Sequence, residues 1–257
     1  MITLDSEQYL PKGRVDAFAV VRLTDLVLPE GARPADLLPG AKSLILIGIA
    51  VTPEVYLLGS RQKTMKFSGI IRELDGISGE IVATLEAAGF SSVAVPAYFP
   101  ARVRNGTLRG ILSLKDCAQQ AGLGRKGQNT LLIHPEYGNR LVLSAVVTVA
   151  PLDPTPHLVT CEICIRCMRC RKACPGGAIG EHGVELRKCL NVRHAVPWFM
   201  GPTLGLLLGS HVFAPAIESF VNRRAWNTEV VCSECVTACP FFASGSETSG
   251  SRGPGTL

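Results

Sequence analysis

Five cysteines crowd fourteen positions of the stretch TCEICIRCMRCRKACPGG, at Cys161, Cys164, Cys167, Cys170 and Cys174. Thiolates at two-residue intervals ligate zinc or iron-sulfur clusters, because so short a loop can wrap three sulfurs around one centre. Two registers are open. One takes Cys161, Cys164 and Cys167 as the triplet. The other, Cys164-x2-Cys167-x2-Cys170-x3-Cys174 with Pro175 following, reproduces a two-cluster run in full. In that run the first three cysteines hold one cluster and the cysteine before proline turns to the other. The second register fits the spacing and leaves Cys161 as the surplus member.

A crossed arrangement demands a second set, and the sequence supplies it. Cys232-x2-Cys235-x3-Cys239 precedes Pro240, and Cys189 is the other cysteine downstream of the first run. The expected metal ligands are Cys164, Cys167, Cys170 and Cys239 for one 4Fe-4S cluster, and Cys174, Cys189, Cys232 and Cys235 for the other. Tetrahedral zinc is the competing reading, but the paired CxxxCP endings and the count of eight favour iron-sulfur clusters. Cys117 and Cys161 are expected to be ordinary thiols.

The formal net charge is +5. Two oxidised clusters with their thiolates carry about -2 each, which leaves roughly +1. The basic excess then compensates the clusters, and nucleic acid is not an expected partner. Arg102, Arg104 and Arg109, and Arg166, Arg169, Arg171 and Lys172, form local basic groups. Solvated faces or cluster counter-charges account for them; docking of an acidic partner or a phosphate is the alternative.

The elements that must position these cysteines come from a chain that is 47% hydrophobic, ample for a core. DAFAVVRL (16 to 23) and KSLILIGIAV (42 to 51) read as buried strands. Leu74, Ile77, Ile81, Leu85 and Ala88 recur at helical spacing and Gly89 supplies a stop, with SVAVP (92 to 96) as the next strand. SLKDCAQQAGLG (113 to 124) reads as a helix, and NTLLIH (129 to 134) and RLVLSAVVTVA (140 to 150) as strands joined by the PEYGN turn. This predicts an α/β or α+β domain over 1 to 157, a cysteine-rich domain over 158 to 242 and a disordered tail over 243 to 257. The first residues do not read as an export signal, so a reduced, cytoplasmic chain is expected. The apolar stretch from 196 to 217 is broken by prolines and glycines and lies between two expected ligands of one cluster, so no membrane span is expected.

Gly122, Gly124 and Gly127 spell GxGxxG, yet a helix precedes them and a strand follows, the reverse of a dinucleotide fingerprint. The stretch reads as a glycine turn able to cradle an anionic ligand, with Asn129 and Thr130 beside it as further cofactor contacts. Asp116, His134 and Tyr137 are candidate proton donors, and His194 and His211 are weaker ones.

AGLGRKGQNTLLIHPEYGNRLVLSAVVTVAPL (121 to 152), followed by the double-cluster cysteine pattern, resembles the epoxyqueuosine reductase family and its shorter relatives, distant kin of the reductive dehalogenases. The likeness is specific over about 110 to 240. It implies a nitroreductase-like, cobalamin-binding α/β domain carrying a ferredoxin-like two-cluster module, with electrons passing from an external low-potential donor to a cofactor beside the 122 to 130 loop. The family's proton-donating Asp falls at Leu108, and its Asp-Tyr-His run is replaced within KTMKFSGIIREL. The resemblance therefore implies an oxidoreductase with a small-molecule substrate, a corrinoid being the candidate cofactor, rather than epoxyqueuosine reduction itself. The alternative is an electron-transfer or activating protein that serves a partner enzyme. The register makes a sharp prediction: Cys161→Ser should retain the full iron content of the parent protein by metal analysis, and loss of iron would assign Cys161 as a ligand.

Overall fold

The computed structural model describes residues 9, 13 to 28, 33 to 97, 101 to 104, 107 to 159, 162 to 181, 183 to 195, 218 to 219, 222 and 229 to 243. Its centre is a four-stranded sheet of β1 (Ala17–Arg22), β2 (Ser43–Ala50), β3 (Ser92–Val95) and a long late strand. That strand is β8 (Leu141–Thr148), and the order across the sheet is β1-β2-β8-β3. Every neighbouring pair is antiparallel, with Ile45 opposite Val20 on one side and Val146 on the other. Seven of the eight residues of β2 are buried. An antiparallel sheet alternates apolar and polar when one face meets water. Here both faces are covered, so after Ser43 the strand LILIGIA carries no polar side chain.

One face carries Val20, Ile45, Ile47 and Val146 against Leu74, Ile77, Ile81 and Leu85 of α2 (Ser60–Ala87). Those four helix residues are 0 to 1% exposed and follow a 3.6-residue period, which fixes the buried stripe. The helix ends in a Schellman motif: Gly89 at φ 87° donates to Glu86 O at 2.9 Å, and Phe90 N donates to Leu85 O at 2.9 Å. The stop falls where the sequence predicts it, but the helix begins at Ser60, well before the apolar periodicity becomes legible. Ahead of it lies the short α1 (Pro53–Leu57). The other face packs Leu44, Leu46, Ala145 and Val147 on Ala118, Ala121 and Cys117, the last two following or within α3 (Leu114–Gln120). Cys117 is fully buried there, and burial, with Asp116 adding to it, pushes its thiol up to about 12.

Three two-stranded pieces surround this core: β4 (Ala101–Arg104) with β5 (Thr107–Gly110), β6 (Arg125–Lys126) with β7 (Leu132–Ile133), and β9 (Ile179–Gly180) with β10 (Gly183–Val184). The pairing of β7 corrects a sequence expectation. The PEYG turn exists, closed by reciprocal His134 and Gly138 backbone bonds of 2.8 and 3.0 Å. Its flanking strands nevertheless belong to different sheets, because β2 and β3 occupy both edges of β8 and β7 must pair with β6.

The cysteine-rich part adds α4 (Arg169–Ala173), α5 (Leu190–Ala195) and α6 (Glu234–Thr237). Among the described residues no helix is long and apolar enough to cross a membrane. The apolar stretch from 196 to 217, His211, Cys161 and the expected tail from 244 onward lie outside the described residues.

Two substitutions test the helix-on-sheet core. Leu85→Ala is expected to cost about 2–5 kcal/mol by urea unfolding, from lost burial and an unfilled cavity. Gly89→Ala is expected to cost about 1 kcal/mol, since a Cβ there meets nothing within 4 Å and only its left-handed φ opposes it.

Candidate metal centres and the adjoining cleft

The loop carrying Cys164 and Cys167 must coil tightly to aim successive thiols at one region. Arg166 at φ 49° and Met168 at φ 60° do this coiling. Neither is glycine, and left-handed backbone costs such residues on the order of 1 kcal/mol each, so the loop is held in that shape by its surroundings. Cys170 is buried in α4, and Cys174 caps the same helix. The Cys174 sulfur accepts the Ala178 N–H at 3.2 Å. Gly176 of the CPGG turn packs so tightly on the Lys188 carbonyl that no Cβ fits, which presses the Cys174 turn against the residue before Cys189.

Asn191 continues the chain of contacts. Its amide donates to Cys232 O and accepts from Cys232 N, both at 2.8 Å, so the Cys189 helix grips the Cys232 backbone from both sides. Cys235 lies in α6 and Cys239 just after it.

Electrostatics sorts the thiols. Burial raises the Cys239 thiol, a backbone bond from Phe241 opposes it, and the charges of Cys170, Cys167 and Cys164 add to it. Burial pushes Cys235 up to about 12, reinforced by Cys232, Cys174, Cys189 and Cys170. Cys170 is raised by burial against an Arg171 backbone bond, with Cys164 and Cys167 contributing. Cys164, Cys167, Cys170 and Cys239 line one small cavity, and Asn191, two residues after Cys189, holds the backbone of Cys232. Among the described residues no three His, Cys, Asp or Glu side chains gather closely enough for a single metal ion.

Side chains from the N-terminal half hold the 232–242 segment in place. Asn129 Nδ2 donates to Cys235 O at 2.9 Å and Asn139 Nδ2 to Val236 O at 3.0 Å. Arg140 Nε donates to Phe242 O at 2.7 Å, its Nη1 to Val51 O at 2.6 Å, and its guanidinium lies 5.9 Å from the Phe242 ring centre. The Lys63 ammonium donates to Ser233 Oγ at 2.9 Å, and that hydroxyl donates to Tyr56 O at 3.2 Å. Sequence reasoning passed over Lys63, Asn139, Arg140, Asn191 and Ser233. Their signal was faint: polar residues at element ends, whose burial only tertiary structure reveals.

The glycine turn serves packing. A Cβ on Gly122 would meet His157 at 2.5 Å, and one on Gly124 would run into Ile133 O. Thr130, at φ 60°, lies against Gly183. Gly127 and Asn129 line a small cavity with Cys164, Cys167, Cys170 and Cys239. The five residues expected around a cofactor therefore face protein and the first cysteine group.

An open cleft of about 540 Å³ lies elsewhere, between α2, the end of β3, residues 110 to 115 and β8. Phe67, Ile71 and Val142 give it apolar walls, and Thr64, Ser68 and Lys115 give it polar edges. Asn191 and Val230, neighbours of Cys189 and Cys232, close one end, where Val230 N donates to Thr64 Oγ1 at 2.8 Å. Its concave surroundings push the Lys115 ammonium below the usual lysine range, helped by Lys126 and opposed by Asp116.

None of the three proton-donor candidates lines this cleft among its described residues. Burial alone would raise Asp116, but hydrogen bonds from Lys126 and Ser113 outweigh it and hold a carboxylate. His134 is 5% exposed; its Nδ1 accepts the Glu136 and Tyr137 N–H groups at 3.1 and 3.3 Å, which places the proton of a neutral ring on Nε2. Burial holds its pKa low against Glu136, and its ring stacks on Tyr137 at 5.0 Å. His194 is exposed on α5.

No protein-family model matches the chain. An epoxyqueuosine reductase of Listeria monocytogenes is 25% identical over 244 residues, 93% of this chain and 59% of that protein. One from Bacillus subtilis is 24% identical over 209 residues, 81% of this chain and 49% of its own length. One from a Synechococcus strain reaches 42% over 77 residues, 30% of this chain. The chain thus spans about half to three fifths of the Bacillus and Listeria relatives. Among solved structures, the epoxyqueuosine reductase of Streptococcus thermophilus superposes with a TM-score of 0.57 at 18% identity, covering 93% of this chain and 64% of that one. A catabolic reductive dehalogenase superposes with a TM-score of 0.53 at 16% identity, covering 81% and 33%. By sequence the chain is similar to epoxyqueuosine reductases at about 25% identity, and it shares a mixed α/β fold with one of them and with a reductive dehalogenase.

Proposed function

We propose that the chain is an iron-sulfur oxidoreductase that passes electrons through two 4Fe-4S clusters to an acceptor in the cleft. Cys164, Cys167, Cys170 and Cys239 hold one cluster, and Cys174, Cys189, Cys232 and Cys235 hold the other. The observation that carries this reading is a set of contacts. Cys164, Cys167, Cys170 and Cys239 line one cavity, and Asn191 both clamps Cys232 and lines the cleft. An all-sulfur donor set with ligands crossed between groups suits paired iron-sulfur clusters. The kinship with reductases supports reduction as the chemistry.

In this reading residues 1 to 157 form the acceptor domain and 158 to 242 a ferredoxin-like module. Electrons enter at the first cluster, whose Cys167 is exposed, and leave from the second beside Asn191. A corrinoid is the candidate acceptor: apolar walls with a polar rim suit a broad flat ligand, and such a group would supply the bond-breaking chemistry when bound. The chain's part is to exclude water with Phe67, Ile71 and Val142 and to present polar groups at the edge. The resemblance puts the family's proton-donating Asp at about Leu108, which favours a small-molecule substrate other than epoxyqueuosine.

One observation favours a second reading, an electron-transfer or activating protein serving a partner enzyme: Asp116, His134 and Tyr137 all lie away from the described cleft wall.

Anaerobically purified protein is expected to carry about eight irons per chain. Cys164→Ser and Cys239→Ser should remove the same half of the visible and magnetic signal, and Cys174→Ser and Cys235→Ser the other half; zinc in place of iron contradicts the reading. Incubation with cobalamin under reducing conditions, followed by gel filtration, separates the two readings. Retained cobalt at about one per chain supports the enzyme, and no retained cobalt with no spectral change supports the electron carrier.

A further inference from the structure

Cys167 is exposed, and its surroundings form an uncommon surface. Ile165 is 66% exposed, an apolar tip beside the thiol loop. Arg166, Arg169 and Lys172 are exposed close to it in the chain, whereas the exposed Arg171 lines a separate hollow with Glu181, Glu185 and Lys188. Arg169 and Lys172 stand one turn apart on α4 and so share a face. Against these four cations, the stretch from 162 to 174 contains one carboxylate, Glu162.

Four ion pairs lie elsewhere on the described surface, Arg14 with Glu80, Arg22 with Asp25, Lys126 with Asp116 and Lys188 with Glu185. Among the described residues Arg166, Arg169 and Lys172 take part in none, as is also true of other exposed cations such as Arg61 and Arg72, but here three of them stand within seven residues of the exposed Ile165. Unneutralised charge of one sign projects a field into solvent, where it accelerates encounter with a partner of opposite sign. An apolar centre within a charged rim is the anatomy of a protein interface, and small interfaces suffice for transient electron transfer.

We infer that Ile165 and Cys167, with Arg166, Arg169 and Lys172 beside them, form the docking face for an acidic one-electron carrier protein. The inference rests on the two-cluster reading and names its electron source. In each encounter the reduced carrier loses one electron and the first cluster's core falls from the 2+ to the 1+ state. No bond forms or breaks, and the carrier departs oxidised.

The test uses the full chain with its iron in place, in anaerobic stopped-flow. Two reductants are compared: a purified acidic flavodoxin in its reduced form, and photoreduced deazariboflavin, which is small and uncharged. Reduction of the parent protein by flavodoxin is expected to slow steeply with added salt. The double variant Arg169→Glu, Lys172→Glu should be reduced by flavodoxin several-fold more slowly at low salt, with a weaker salt dependence. Its iron content and its reduction by deazariboflavin should match the parent. The corresponding glutamine double variant should fall between the two, so a folding defect in the reversed protein does not stand in for a docking defect. Equal rates and equal salt dependence for parent and variants with flavodoxin would overturn the docking face, the cations then serving only as solvated counter-charges. Parent protein without iron would overturn the two-cluster reading instead.

Discussion

A four-residue helix cannot satisfy its own carbonyls, and the placement of α6 depends on who satisfies them. Asn129, Asn139 and Arg140, all from the N-terminal half, donate to Cys235, Val236 and Phe242. Lys63 anchors Ser233 at the helix entrance. Each neutral bond contributes on the order of 1 kcal/mol, and those from the buried Arg140 and Lys63 about 1.5–3 kcal/mol. Together they fix a segment with almost no hydrophobic core of its own, and with it the positions of Cys232, Cys235 and Cys239. Without these side chains, Asn191 is left as the described side-chain clamp on the second set of cysteines.

The same constraint explains why the N-terminal half is built as it is. Covering both faces of an antiparallel sheet makes β2 and β8 rigid, and Asn139 and Arg140 sit immediately before β8. Arg140 is 3% exposed and divides its donors between Val51 and Phe242, so one side chain ties the sheet's end to the cysteine segment. The glycine turn works in the same direction: tight packing at Gly122 and Gly124 sets the course of the chain that delivers Asn129. The cleft is formed where these supports leave a gap beside Asn191.

Much of the fold was legible locally. β1, β2, β3 and β8 were written as apolar runs, and the end of α2 by its Gly89 stop. The cysteine partition is a reading of ligand spacing, a short-range code, and the structure adds that Cys164, Cys167, Cys170 and Cys239 line one small cavity. What was not legible is long-range. Residues 60 to 72 lack a clear stripe because Phe67 and Ile70 pack on a small separate cluster and Lys63 is buried by one distant hydroxyl. The partners of β7 depend on edges already taken. The supporting Asn and Arg residues look like ordinary turn and strand-end residues until the segment they hold is in view, and the packing of His157 and Ile133 on Gly122 and Gly124 is long-range as well.

The central claim is a pair of adjacent clusters whose ligands cross between two segments. Low-temperature electron paramagnetic resonance of the fully reduced protein tests it directly. Two centres this close must give about two spins per chain with a spectrum broadened and split by their mutual coupling. A single uncoupled spin, or no iron-based signal at all, would contradict it.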